Sequence, residues 1–207
     1  MNGVPSAPLS SPVILAVPGV DQRPCTAWCG PAATQEIFYK GQWGYTLAQI
    51  AAMEGSGDCY NGGTCILPIR DTLNQHAPGL PWANFYVAVR LNHNSLSDAG
   101  FDLRTKEEYD IGSYAMALMV LLDANPNDGT PYCLPGYCGG QTGIIHYITV
   151  NGYAGNYNGC DWSAQTYYRD SWYNPPDQHY TDHNYFTDCI YFNDGKGSCS
   201  GNTDIVW

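Results

Sequence analysis

A chain of 207 residues with 44% hydrophobic and 14% aromatic content can bury one core of ordinary size, which excludes a disordered protein. Its formal charge of -11 argues against nucleic acid or an anionic membrane as partner, because both would repel it. No apolar run approaches the ~18 residues of a membrane-spanning helix, and 23 Gly with 14 Pro point to a loop-rich molecule.

Residues 1–18 are rich in Pro and Ser and are expected to run as an extended arm across the surface. They lack a basic n-region, and SPVILAVPG is too short for a signal core, so the start reads as that of a mature or trimmed form. A first helix is predicted from Cys29. Pro31 suits its N1 position, where a missing N–H costs nothing, and ATQEIFYK supplies good helix formers. A second is predicted over TLAQIAAMEG, with Thr46 and Gln49 as a capping-box pair and Gly55 as the stop. SGDCYNGGTC reads as a disulfide-rich loop, and LPIRDTLNQH as a third helix.

The segment YDIGSYAMALMVLLDAN carries apolar residues on both faces, which fits a buried helix or a helix running into a buried strand. The pattern then changes. HYITVNGY alternates, QTYYRDSW is β-rich, and AGNYNGC between them supplies a Gly/Asn turn. Helices first and strands later give an α+β class. Without an internal repeat or a linker, residues 1–207 read as a single domain.

Nine cysteines (Cys25, Cys29, Cys59, Cys65, Cys133, Cys138, Cys160, Cys189, Cys199) in a Lys-poor chain point to an oxidising compartment, hence a secreted, extracellular protein. Nine is odd: eight can form four disulfides and one thiol remains. Cys59 with Cys65, and Cys133 with Cys138, are close enough in sequence to close small loops. Structural zinc usually shows two tight knuckles, and the spacings CxxxC, CxxxxxC and CxxxxC repeat none. DANPNDG resembles a calcium loop, but Gly129 falls one place late and no Glu closes it. DQHYTDHNYFTD places His179 and His183 four apart, yet its Tyr, Asn and Asp content reads as a solvated loop. Neither a metal nor another cofactor is expected.

A thiol at a helix start faces unpaired N–H groups and the positive end of the dipole, which favour the thiolate. Cys29 is therefore either a nucleophile or a disulfide partner that happens to open a helix. The later strands bear on that choice. If HYITVNGY and QTYYRDSW form a hairpin whose facing positions sum to 316, His146 faces Asp170, Ile148 faces Tyr168 and Val150 faces Thr166. Asn151 then points to the opposite face. A carboxylate beside imidazole orients the ring and stabilises its protonated form, and an imidazolium beside Cys29 would stabilise a thiolate.

The stretches CGPAATQEIF, TLAQIAAMEG with GGT after it, and HYITVNGY followed by YYRDSW resemble the papain-like peptidases of the bacteriocin-leader-processing kind, and more closely their secreted, transporter-free relatives. In motif order the resemblance spans residues 20–175. It implies a papain-like α+β fold, with the nucleophile at a helix start packed on an antiparallel sheet that carries the His and Asp. It further implies Cys29 as nucleophile, His146 as base, Asp170 as the group orienting it, and Gln22 as a donor to the oxyanion. Gln22 lies seven residues before Cys29, slightly farther than is usual in the family, and CTAWCG departs from the papain signature C-G-[SA]-C-[WY]. The likeness is one of fold and constellation. Cys25 then reads as half of a disulfide that pins the nucleophile loop. The expected activity is hydrolysis of a peptide or protein substrate by a monomer. The same triad would also serve an amidase, transpeptidase or transglutaminase, and a disulfide-rich binding protein is the non-catalytic alternative.

Overall fold

The computed structural model describes residues 11–40, 44–77, 80, 84–111, 116–122, 134, 144–158, 163–172, 178–191, 203 and 205–207. Five helices and seven strands are assigned among them. Near the N-terminus, β1 (Val13–Ile14) pairs antiparallel with β4 (Ile144–Ala154). The start of the chain is thus not only a surface arm. Leu15 and Val17 are buried in the core, and the Leu15 N–H donates to the Asn151 carbonyl at 2.7 Å.

Three helices follow in the predicted order. α1 (Cys29–Lys40) opens at the expected cysteine, with the Trp28 carbonyl accepting the Ala32 N–H at 3.0 Å. Pro31 falls at the third helical position and not the first, still within the turn whose N–H groups have no intrahelical acceptor. α2 (Leu47–Glu54) carries the full capping box of Thr46 and Gln49, and ends at Gly55 with φ 63°. That left-handed conformation is strained for any residue with a Cβ, so glycine is the natural stop. α3 is Ile66–His76.

The second half holds most of the sheet. β2 (Ala88–Val89), α4 (Leu96–Asp110), β3 (Met116–Leu122), β4, β5 (Gln165–Arg169), β6 (Gln178–Asp182), α5 (His183–Tyr191) and β7 (Ile205–Val206) follow. The sheet runs β2-β7-β3-β4-β5-β6, every pairing antiparallel, with β1 added against β4. The ambiguous apolar segment resolves as a helix end followed by strand β3. α4 had not been expected; its start is marked by Ser95, whose side chain accepts the Asp98 N–H at 3.1 Å.

DQHYTDHNYFTD is likewise not a solvated loop. It forms β6 and the start of α5, because Tyr167, Tyr168 and the α4 backbone supply partners that its local composition does not announce. His183 is fully buried, and the His179 ring stacks on Tyr168 at 5.5 Å. Among the described residues no cluster of three metal-ligating side chains occurs. DANPNDG and the cysteines at 133, 138, 160 and 199 lie outside the described residues.

The cysteine pairing also differs from the expectation. Cys59 joins Cys25, not Cys65, and Cys65 is itself disulfide-bonded. Cys29 and Cys189 are both free and buried. With at least these two of the nine cysteines free, no more than three disulfides can form, not four.

Candidate active site

Three elements converge on Cys29. The residue opens α1, and α1 packs against β4, which carries His146. Asp170 follows the last residue of β5. His146 Nε2 and Asp170 Oδ1 are 2.9 Å apart, with both side chains buried. The same Asp170 oxygen accepts the Trp172 N–H at 2.9 Å, so the carboxylate is held on two sides. With Nε2 engaged, Nδ1 is the ring nitrogen left for the thiol, and Cys29 and His146 are hydrogen-bonded.

The hairpin register is not the expected one. Thr149 faces Arg169 and Val150 faces Tyr168, so facing positions sum to 318 and not 316 before a bulge intervenes between Val150 and Gly152. Asp170 is therefore diagonal to His146, displaced along the strand by two residues. Two is even, so the aspartate keeps the face of the histidine and stays within reach of its ring. Asn151 sits at the bulge and makes no bond to His146. Its Nδ2 donates to the Leu15 carbonyl at 2.9 Å and to Gln178 Oε1 at 2.8 Å, and its Oδ1 accepts from Gln178 Nε2 at 2.8 Å.

The electrostatics follow from the packing. Burial by itself pushes the Cys29 thiol up, but the hydrogen bond and charge of His146, with the Tyr147 and Gly30 N–H groups, outweigh it and bring the thiol below its ordinary range. Burial by itself would depress His146. The ionised Asp170 beside it and the bond to Cys29 reverse that and push the imidazole up to about 10. Together the two shifts favour a thiolate–imidazolium pair at neutral pH.

Gln22 is buried on the chain leading into α1. Its Nε2 donates to the Cys25 carbonyl at 3.0 Å, and its Oε1 accepts the Ser171 hydroxyl at 2.5 Å. A carbonyl can only accept, so this contact fixes which end of the amide is nitrogen and leaves its second N–H outside both bonds. The Gln22 N–H also donates to the Ser171 carbonyl at 3.0 Å, tying it to the residue after Asp170. The Cys25–Cys59 disulfide and an Ala27 N–H bond to the Cys59 carbonyl at 3.2 Å pin the same chain to the loop after α2. Thr64 of that region lies against Gly30. A Cβ at Gly30 would come within 2.5 Å of the threonine Cβ, so glycine is required immediately after Cys29.

Cys29, His146 and Asp170 are thus brought together, and Gln22 is held on the adjoining chain. Sequence reasoning did not single out Ser171, although it lies within the quoted strand segment; nothing local marks a serine as the partner of a residue 149 positions away.

No protein-family model and no curated protein matches the chain in sequence. Among solved structures, a candidate C39-like peptidase from Bacillus anthracis aligns over 95% of this chain and 97% of its own, with a TM-score of 0.59 at 15% identity. Bromelain from Ananas comosus, solved with the E64 inhibitor, aligns over 96% of this chain and 98% of its own, with a TM-score of 0.48 at 16% identity. The class is therefore defined by architecture: the chain has an α+β fold similar to that of the C39-like peptidase.

Proposed function

We propose that the protein is a cysteine peptidase using Cys29, His146 and Asp170. The observation that supports it most directly is a buried imidazole held between a carboxylate and the free thiol that opens a helix. In this reading the Cys29 thiolate attacks the scissile carbonyl carbon, forming a C–S bond while the carbonyl π electrons move to oxygen. Imidazolium His146 gives its proton to the departing amine as the C–N bond breaks, leaving a thioester. A water then attacks the thioester, loses its proton to neutral His146, and the C–S bond breaks to regenerate the starting pair. Asp170 keeps the ring oriented, and the Cys29 N–H with the unengaged Gln22 N–H would receive the oxyanion.

The Cys25–Cys59 bond suits an oxidising, extracellular setting, and the proposed enzyme is a monomer acting on a peptide or protein substrate. The test is alkylation of native, unreduced protein with iodoacetamide, followed by peptide mapping and activity measurement. Label on Cys29 with loss of peptide cleavage is expected. Label elsewhere with cleavage unchanged refutes the assignment. Release of ammonia or incorporation of an amine without net peptide cleavage would assign the same triad to an amidase or acyl transferase instead.

A further inference from the structure

Glu36 lies on α1 about two turns beyond Cys29, on the same side of the helix. It is a charged residue type that is 1% exposed, and the proposed chemistry does not use it. Its Oε1 accepts the Val20 N–H at 3.0 Å. Val20 is two residues before Gln22, whose own N–H and side chain are tied to Ser171 on the far side. The short chain 20–22 is thus tethered to the nucleophile helix by Glu36, and to the turn after Asp170 by Ser171. The Thr149 hydroxyl, on the strand that carries His146, lies against the same carboxyl.

Resting on the peptidase reading, we propose that Glu36 is a positioning residue for this site: its carboxyl holds the chain that carries Gln22 against the helix that carries Cys29. It does so as the neutral acid. The Thr149 hydroxyl and the Val20 N–H favour an ionised Glu36, but less than burial opposes it. Oε2 has no hydrogen-bond partner among the described residues, which a buried carboxylate would require. The charged groups facing Glu36 are Asp170, which opposes its ionisation, and Arg169, which favours it less than burial opposes it. The carboxyl is accordingly pushed up to about 8. Ionisation above that pH would place a second negative charge beside Asp170, in a site built around one.

The experiment compares wild type with Glu36→Leu and Glu36→Gln, reading kcat and KM on a peptide substrate and, separately, the pH profile of Cys29 alkylation by iodoacetamide. Glu36→Leu removes the acceptor for Val20. It is expected to lower kcat by ~10-fold or more with KM within about two-fold, as for a lost transition-state donor, while alkylation at pH 6 stays within about two-fold. Glu36→Gln keeps an acceptor and the volume, so kcat at pH 6 should return to within about two-fold of wild type. In the wild type both readouts should inflect near pH 8, and that component should vanish from Glu36→Gln. Glu54 and Glu107 are pushed by burial into the same range but are common to both proteins, so they cancel in the difference.

Wild-type kcat in Glu36→Leu, or no rescue by Glu36→Gln, overturns the proposal. If Glu36→Leu does not fold, the Glu36→Gln difference profile decides: superposable profiles overturn it. If wild type alkylates at Cys29 yet cleaves no peptide, the peptidase reading fails, and the alkylation difference profile still judges Glu36 by the same criterion.

Discussion

Two buried histidines, each beside a carboxyl, end in opposite protonation states. His146 lies between Cys29 and Asp170 and is pushed up to about 10. His183, at the start of α5, contacts Thr166 Oγ1 at 2.8 Å and the Gly100 carbonyl at 3.0 Å, with Glu107 at 3.5 Å, and is pushed down to about 3. Burial depresses both. The difference lies in the net charge that each ring faces. Asp170 is ionised and bonded directly to His146. His183 faces the Arg104 cation and a Glu107 that burial pushes up to about 8, hence neutral. Arg104 approaches Glu107 to 3.2 Å, but neither atom of that contact is aligned as a hydrogen bond, so the pairing does not offset the burial. A neutral His183 donates from Nε2 to Gly100 and accepts at Nδ1 from Thr166. The same threonine hydroxyl lies 2.7 Å from Glu107 Oε1, so it joins the histidine to the carboxyl. One network holds a charge pair beside the proposed nucleophile, and the other ties α4, β5 and α5 together without such a pair.

The largest effects should separate these two regions outright. Cys29→Ala and His146→Ala are each expected to remove turnover by ~10³-fold or more, with the double variant little worse than either, because the two act as one unit. A folded Cys29→Ala protein that cleaves peptides at the wild-type rate would move the active site elsewhere. Iodoacetamide should also distinguish the two free thiols among the described residues: Cys189 is fully buried and its thiol is pushed up by burial, so mapping should find label on Cys29 and not on Cys189.

Asp170→Ala and Gln22→Ala should be milder, each lowering kcat by ~10²-fold or less, since one orients a ring already held by packing and the other removes a single donor. By contrast, His183→Ala should leave turnover within about two-fold while costing about 2 kcal/mol of stability through unpaired Thr166 and Gly100 partners. Its urea midpoint should fall with activity retained. A loss of turnover without a stability change would break the division between the two networks.

A pH dependence of stability is also expected, and its sign can be worked out. Glu36, Glu54 and Glu107 are each pushed from 4.5 to about 8 by burial. Between those values the folded chain keeps protons that the unfolded chain has released, so stability falls as pH rises. His183 works in the opposite sense, but only below its ordinary value of 6.5. Cys29 and His146 contribute no net proton in between, because the folded pair moves a proton from thiol to ring. The urea midpoint should therefore drop from pH 6.5 to 8 at constant ionic strength, and Glu107→Gln should flatten the slope. A midpoint that rises over that interval would show that the buried glutamates are ionised.

Local chemistry in the sequence determined much of this protein. A Cys-Gly-Pro helix start, a Thr46–Gln49 capping box ended by Gly55, and an alternating strand through His146 act over a few residues, so they can be read without knowing what packs against them. They sufficed for an α+β class and for a shortlist of Cys29, His146 and Asp170, to which only the family resemblance added Gln22. What acts across the chain was decided only by the tertiary structure. The partner of Cys25 is Cys59 and not a nearer cysteine. The bulge at Asn151 turns on an amide shared with Leu15 and Gln178, so the hairpin register could not be set by the hairpin alone. β6 and α5 form from residues that look like a loop because β5 and α4 satisfy His183 and its neighbours. Caps and periodicity are short-range and survive in a string of letters; disulfide choice, strand register and the charge state of a buried side chain depend on groups brought together only by folding.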